Sequence, residues 1–117
     1  MAVITGGGRG TGYACAEALG QAGAHLVILE PDLGVAETAV TALPAKGFKT
    51  EAMAGDVRDA ARMTACADDL AARGTATTIR VTNAGGPDGS GGLVGLGRAA
   101  SLMTAVVVTV DGGFTVW

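Results

Sequence analysis

Along most of the chain, short apolar runs alternate with longer stretches in which small and apolar residues recur three and four positions apart. Val3-Ile4 is a strand-like run that ends in a glycine cluster, and Tyr13 to Gln21 continues the chain as an alanine-rich helix stopped at Gly23. Leu26-Val27-Ile28-Leu29 predicts a second buried strand, ending at Glu30. After Pro31-Asp32, positions Leu33, Ala36, Val40 and Leu43 keep helical spacing until Pro44 closes the segment. Lys49 to Ala54 reads as a weaker third strand. Arg58 to Arg73 reads as a helix with Met63, Cys66 and Leu70 on one face and Gly74 at its end. Thr78 to Thr82 is the fourth strand. Strands separated by helices of this length need crossover connections, which make the strands parallel and put helices on both faces of the sheet. The expected fold is therefore α/β, a doubly wound parallel sheet.

From Gly85 the pattern breaks. Residues 86–92 read Gly-Pro-Asp-Gly-Ser-Gly-Gly, a flexible composition without an apolar anchor. Beyond it, Leu93 to Met103 holds at best a poor helix interrupted by Gly95 and Gly97, and Ala105 to Val110 is a β-branched strand followed by Asp111-Gly112-Gly113. The chain thus divides into a βαβαβαβ part (1–85), a glycine-rich joint (86–92) and a helix and strand segment (93–117), within the 117 residues of a single domain. The expected sheet has about five strands. The doubly wound rule reverses direction after strand one, giving the order 3-2-1-4, with the C-terminal strand parallel beside strand four.

Composition removes several classes of function. A net charge of −3 and a charged fraction of 16% provide no concentrated basic face for nucleic acid. The mean hydropathy of +0.41 is high, yet aliphatic runs such as Leu26 to Leu29 and Ala105 to Val108 are far below a membrane span. Met1-Ala2-Val3-Ile4-Thr5 has neither a basic region nor a cleavage-site pattern, so the expected location is cytoplasmic. Cys15 and Cys66 lack metal-ligand spacing and read as reduced thiols in helical stretches, and no metal site is expected. His25 opens strand two without a nucleophile or ligand partner nearby in sequence, the pattern of a strand-edge residue.

The residues with chemistry sit at strand ends. Thr5-Gly6-Gly7-Gly8-Arg9-Gly10-Thr11-Gly12 joins the first strand to its helix, where glycines let backbone N–H groups approach a pyrophosphate at the positive helix end. Tight strand-to-helix turns also use glycine, and the general Gly-x-Gly-x-x-Gly fingerprint is absent. Glu30 adds weight: it ends strand two 30 − 10 = 20 positions after Gly10, near the spacing at which a carboxylate reaches the adenosine ribose hydroxyls. A solvated strand-end charge is the plainer alternative.

Taken together, Thr5-Gly6-x-x-x-Gly10-x-Gly12, Asp56-Val57, Asn83-Ala84-Gly85 and Val110-Asp111-Gly112-Gly113 resemble the motifs of the short-chain dehydrogenase/reductase family, in family order. The resemblance covers residues 2 to 85 and resumes around Ala99 to Trp117. It implies a Rossmann-like fold in which a pyrophosphate lies over Gly6 to Gly12, with Gly8, Arg9, Gly10, Thr11 and Gly12 lining it. It implies that Glu30 binds the adenosine ribose, that Asp56 accepts from the adenine amino group with Val57 packed on the ring, and that Asn83, Ala84 and Gly85 run beneath the nicotinamide-side ribose. An acid at position 30 repels a 2′-phosphate, so the implied cofactor is NAD in preference to NADP; Arg9 is a mild counter-signal. Thr82, Thr11 and Ala105 depart from the residues usual at their positions, Asn, Ile and Gly.

What the resemblance does not supply is catalysis. The family uses a Ser, and a Tyr followed four positions later by Lys, between the Asn-Ala-Gly motif and the last strand. Here Tyr13 is the single Tyr and has Glu17 four positions on; Lys46 and Lys49 come after the second helix; Ser90 lies in the joint and Ser101 matches the tail. The expectation is a shortened NAD-binding module, weak in affinity and without chemistry of its own, whether engineered or a degenerate or spliced paralogue. The alternatives are an NAD-dependent oxidoreductase completed by a partner chain or by other residues, and an assembly domain without cofactor. Uncovered sheet surface favours a homo-oligomer.

Overall fold

The computed structural model describes residues 1–74, 77–84 and 106–109, the last four by backbone alone. The elements run β1 (Ala2–Thr5), α1 (Gly10–Gln21), β2 (Leu26–Glu30), α2 (Leu33–Ala42), a 3₁₀ turn (Pro44–Lys46), β3 (Thr50–Ala54), α3 (Ala60–Ala72), β4 (Ile79–Thr82) and β5 (Val106–Thr109). They form one sheet of order β3-β2-β1-β4-β5, and every neighbouring pair is parallel. The fifth strand stands where the sequence places it, with Thr82 opposite Thr109.

The side-chain alternation of β1 and β2 divides the core in two. Ala2, Ile4, Leu26, Ile28 and Val81 face α1 and α2 and meet Ala16, Ala36, Ala39 and Leu43. Val3, Val27 and Leu29 face the opposite way, with Met53, and meet Met63, Cys66 and Leu70 of α3. Leu26 to Leu29 are all buried, as a central parallel strand covered on both faces must be.

α1 begins at Gly10, three residues before the apolar periodicity announces it. Its buried face is Gly12, Ala16 and Gly20, one small residue per turn, so the helix axis lies close to the sheet. Phe48 fills the space above Gly20: a Cβ there would lie 2.6 Å from the ring. α3 starts at Ala60 and not at Arg58, because Asp56 and Arg58 form the turn before it and Asp59 caps it, accepting from Arg62 N at 2.9 Å. Cys15 and Cys66 are free thiols; Cys66 is buried, and burial pushes its pKa up. His25 stands just before β2, as its place in the sequence suggests, but it has a partner that the sequence did not reveal, Glu51 Oε1 of β3 at 2.8 Å from Nε2.

Candidate functional site

In a parallel sheet all strands end on the same edge, so the order β3-β2-β1-β4 lines up the segments that leave the strands. Along that edge stand Asp56 after β3, Glu30 at the end of β2, the glycine loop after β1, and Asn83-Ala84 after β4. Three steps between neighbouring strands span roughly 14 Å, the footprint of an elongated ligand. The direction of winding changes at β1, since α1 and α2 cover one face and α3 the other, and such a switch point opens a crevice at the carboxyl edge.

The glycine loop is built by close approach. A Cβ on Gly12 would collide with the Gly6 carbonyl oxygen and come within 2.6 Å of Asn83 Nδ2. A Cβ on Gly8 would collide with Val35 Cγ1 and lie 2.8 Å from Glu30 Oε1. Gly10, with φ +57°, is in the left-handed region and has nothing within 4 Å of a Cβ position, so it faces the open side of the cradle. Arg9 and Thr11 beside it are exposed.

The loop is tied to both neighbouring strands. Glu30 Oε1 accepts from Gly8 N at 2.7 Å, so one oxygen of the carboxylate expected at the ribose positions the glycine loop. On the other side Asn83 Nδ2 donates to Gly6 O at 2.9 Å. Thr5, 1% exposed, is the knot between β1 and β4. Its hydroxyl accepts from Asn83 N at 3.1 Å and Ala84 N at 3.2 Å, and donates to Val81 O at 3.4 Å. Ala84 packs on the loop, its Cα 3.0 Å from a Cβ position on Gly6. Gly85 lies outside the described residues.

The helix N-termini differ. Asp32 caps α2, accepting from Gly34 N at 2.9 Å and Val35 N at 3.4 Å, and Asp59 caps α3. No side chain caps α1, and its first turn carries no acid. The positive end of that dipole is left facing the crevice above Gly10.

At the far end of the row, Asp56 is gripped by Arg58. Its Oδ1 accepts from the Arg58 backbone N at 2.9 Å and from Nε at 2.9 Å, and its Oδ2 from Nε at 3.1 Å and Nη2 at 2.5 Å. The Arg58 side-chain and backbone hydrogen bonds hold the carboxyl at about 2, well below the usual range. Val57 is half-buried against the Met63 side of the core.

The structure thus brings Gly6, Gly8, Arg9, Gly10, Thr11, Gly12, Glu30, Asp56, Val57, Asn83 and Ala84 to one edge of the sheet. The sequence reading missed the positioning roles of Thr5, Val35 and Arg58. Arg58 had a signal, a cation two residues after the acid; Thr5 meets Asn83 across 78 positions and had none.

The sequence model of the family described as short chain dehydrogenase matches residues 1–109. Galactitol 2-dehydrogenase of Rhizobium johnstonii is 51% identical over 84 residues, which are 72% of this chain and 32% of that protein. Among solved structures, a metagenomic short-chain oxidoreductase in complex with NADP superposes with a TM-score of 0.70 at 32% identity, covering 73% of this chain and 38% of that one. A 7α-hydroxysteroid dehydrogenase complexed with NADH and 7-oxo glycochenodeoxycholic acid superposes with 0.68 at 30%, covering 73% and 33%. The chain belongs to the short-chain dehydrogenase family, one of NAD(P)-dependent oxidoreductases, and spans about a third of the length of these relatives. Among the described residues no helix is long and apolar enough to cross a membrane, and no group of side chains is arranged to hold a metal.

Proposed function

We propose that this chain is a dinucleotide-binding module of the short-chain dehydrogenase family that holds NAD mainly by its adenosine half and performs no hydride transfer by itself. The observation that carries the reading is the order along the sheet edge. Asp56, Glu30, the uncapped α1 loop and Asn83 succeed one another as adenine, ribose, pyrophosphate and second ribose do in an extended dinucleotide. The residues fit the ligand: Gly8 and Gly12 leave no room for side chains in the cradle, and Gly10 opens it outward. Bound NAD would supply the hydride-accepting ring. The protein's part is to seat the pyrophosphate on the α1 N-terminus and to offer Glu30 to the ribose hydroxyls through the lone pairs that Gly8 leaves.

Among the relatives solved with a cofactor, some hold NADP and one holds NADH. For this chain the choice falls on NAD, because a carboxylate at position 30 repels a 2′-phosphate. Without the catalytic segment we expect an affinity on the order of 1 mM, about 4 kcal/mol. The proposal includes self-association through a strand edge such as β3, the outer strand of the described sheet, and a cytoplasmic setting, where dinucleotides are available.

Calorimetric titration with NAD and NADP tests it. Because Glu30 also braces Gly8, the informative variant is Glu30→Gln, which retains an acceptor for the Gly8 N–H and loses the charge. NAD should bind better than NADP, and Glu30→Gln should narrow the gap. Equal affinities in the unsubstituted protein would remove Glu30 from this role, and no binding of either would leave the assembly reading.

A further inference from the structure

The pairing of β3 with β2 decides which way the backbone of β3 points. Leu26 N donates to Lys49 O at 2.8 Å and Gly55 N to Glu30 O at 2.9 Å, in a register that sets Leu26, Ile28 and Glu30 opposite Thr50, Ala52 and Ala54. In such a parallel ladder β2 bonds to Lys49, Glu51, Met53 and Gly55, and Thr50, Ala52 and Ala54 turn their N–H and C=O groups away from it, toward the outer edge. At Ala54 that edge is attended by α3. Arg62 donates to Ala54 O from Nε at 2.9 Å, and the Cys66 thiol points to the same oxygen from 3.6 Å. The other end of α3 is fastened to β3 as well, through the pair between Arg73 and Glu51. A carbonyl oxygen has two lone pairs, so Arg62 does not forbid a further bond by valence. Its effect is one of solvation. Arg62 is exposed, and a strand arriving at this end of the edge must displace a hydrated guanidinium or strip its water.

We infer that Arg62 guards the outer edge of β3 and holds back its pairing with β3 of a second copy of the chain. This rests on the self-association proposed above, naming its interface and its restraint, and is independent of the dinucleotide. A two-fold axis is the commonest relation between identical chains, and it sets the two edges antiparallel. Centred on Ala52, the pair matches Ala52 with Ala52 and Thr50 with Ala54, so each end of the ladder closes on an Ala54 carbonyl beside Arg62. The side chains at the outward positions are small, and Glu51, the acid of the strand, is already paired with His25 and Arg73, so the two edges do not bring bare like charges together. A ladder of three outward residues depends on its ends. Guarding them leaves the central Ala52 pair alone.

The experiment measures association of the whole chain by sedimentation velocity over a range of concentrations. Arg62→Ala removes the guanidinium and keeps the cap of α3, because Asp59 accepts from the backbone N–H at position 62. At about fivefold per guard, the scale of one net hydrogen bond, the dimer dissociation constant should fall roughly 25-fold, since a symmetric pair frees two ends. Adding Ala52→Pro to Arg62→Ala should abolish that gain. The Ala52 N–H points away from β2, so proline takes no bond from the native ladder and removes the centre of the new one. Without any proline, amide exchange at Thr50, Ala52 and Ala54 of Arg62→Ala should slow as its concentration rises. Unchanged or weaker association of Arg62→Ala would overturn the guard. So would tighter association that leaves these amides unprotected or survives Ala52→Pro, since either places the contact elsewhere. A monomeric unsubstituted chain beside an associating Arg62→Ala would refute the proposed oligomer and leave the guard standing.

Discussion

Gly12 and Gly10 stand two residues apart and are glycines for different reasons. At Gly12 the obstacle is matter: a Cβ meets the Gly6 carbonyl, whose position is fixed by Asn83 Nδ2 at 2.9 Å. At Gly10 the obstacle is the backbone, φ +57° with empty space around it. Left-handed backbone costs a residue with a Cβ about 1 to 2 kcal/mol, whereas forcing an atom into packed backbone costs about 3 kcal/mol. Urea denaturation should therefore show a larger loss for Gly12→Ala than for Gly10→Ala. Gly10→Ala should also weaken NAD binding, because its methyl group projects into the open cradle. A smaller loss at Gly12 would mean that the loop backs away from β4 and that Asn83 does not hold it.

At the scale of elements, the contrast between helix ends separates stability from function. Asp32→Ala or Asp59→Ala removes a cap and should cost about 1 kcal/mol each. α1 begins from Arg9 with no side-chain cap, so Arg9→Asp adds both a cap and a favourable charge and should stabilise the free protein by about 1 kcal/mol. The same carboxylate would compete with the pyrophosphate, so Arg9→Asp should reduce NAD affinity toward that of adenosine. A thermal melt and a titration on one sample check both halves; gain of stability with unchanged NAD binding would place the pyrophosphate elsewhere. The strands and two of the helices were legible in the sequence because burial on both faces leaves long apolar runs in β2 and a clear stripe, Met63, Cys66 and Leu70, in α3. The start of α1 was not, because its inner face is Gly12, Ala16 and Gly20, which carry almost no hydrophobic signal and matter only because they are small. The gathering of the candidate residues along one edge was legible as motifs at strand ends, since strand order alone brings strand ends together. The bonds that set its shape, Thr5 to Asn83 and Glu30 to Gly8, join residues 78 and 22 positions apart and needed the fold.

For the whole molecule, assembly and chemistry both depend on how much of the family fold these residues provide. β3 forms the outer edge of the described sheet, and strand edges pair readily with other strands. Light scattering at high protein concentration should give a mass above that of one chain; a strictly monomeric mass would count against the proposed oligomer. Hydride transfer poses a stricter demand. As a carbonyl is reduced, charge develops on its oxygen, and a group must donate a proton there while another steadies the oxygen. The family resemblance assigns those tasks to a Tyr with Lys four positions on, and to a Ser. In this sequence the single Tyr, Tyr13, is followed by Glu17 at that spacing. In the structure Tyr13 is half-buried against the α1 side of the core, and Glu17 is paired with Lys46. Losing the general acid costs about 10² to 10⁴ in rate, and losing an oxyanion donor about 10² to 10³ more. These 117 residues alone should therefore bind NAD without measurable turnover of ketones or polyols, monitored by the absorbance of the reduced nicotinamide. Tyr13→Phe should change nothing in that assay. Turnover that survives repurification and drops in Tyr13→Phe would place a working phenol in α1 and refute the reading of binding without catalysis, whereas turnover that appears only on adding a second protein would identify a partner that supplies the missing acid.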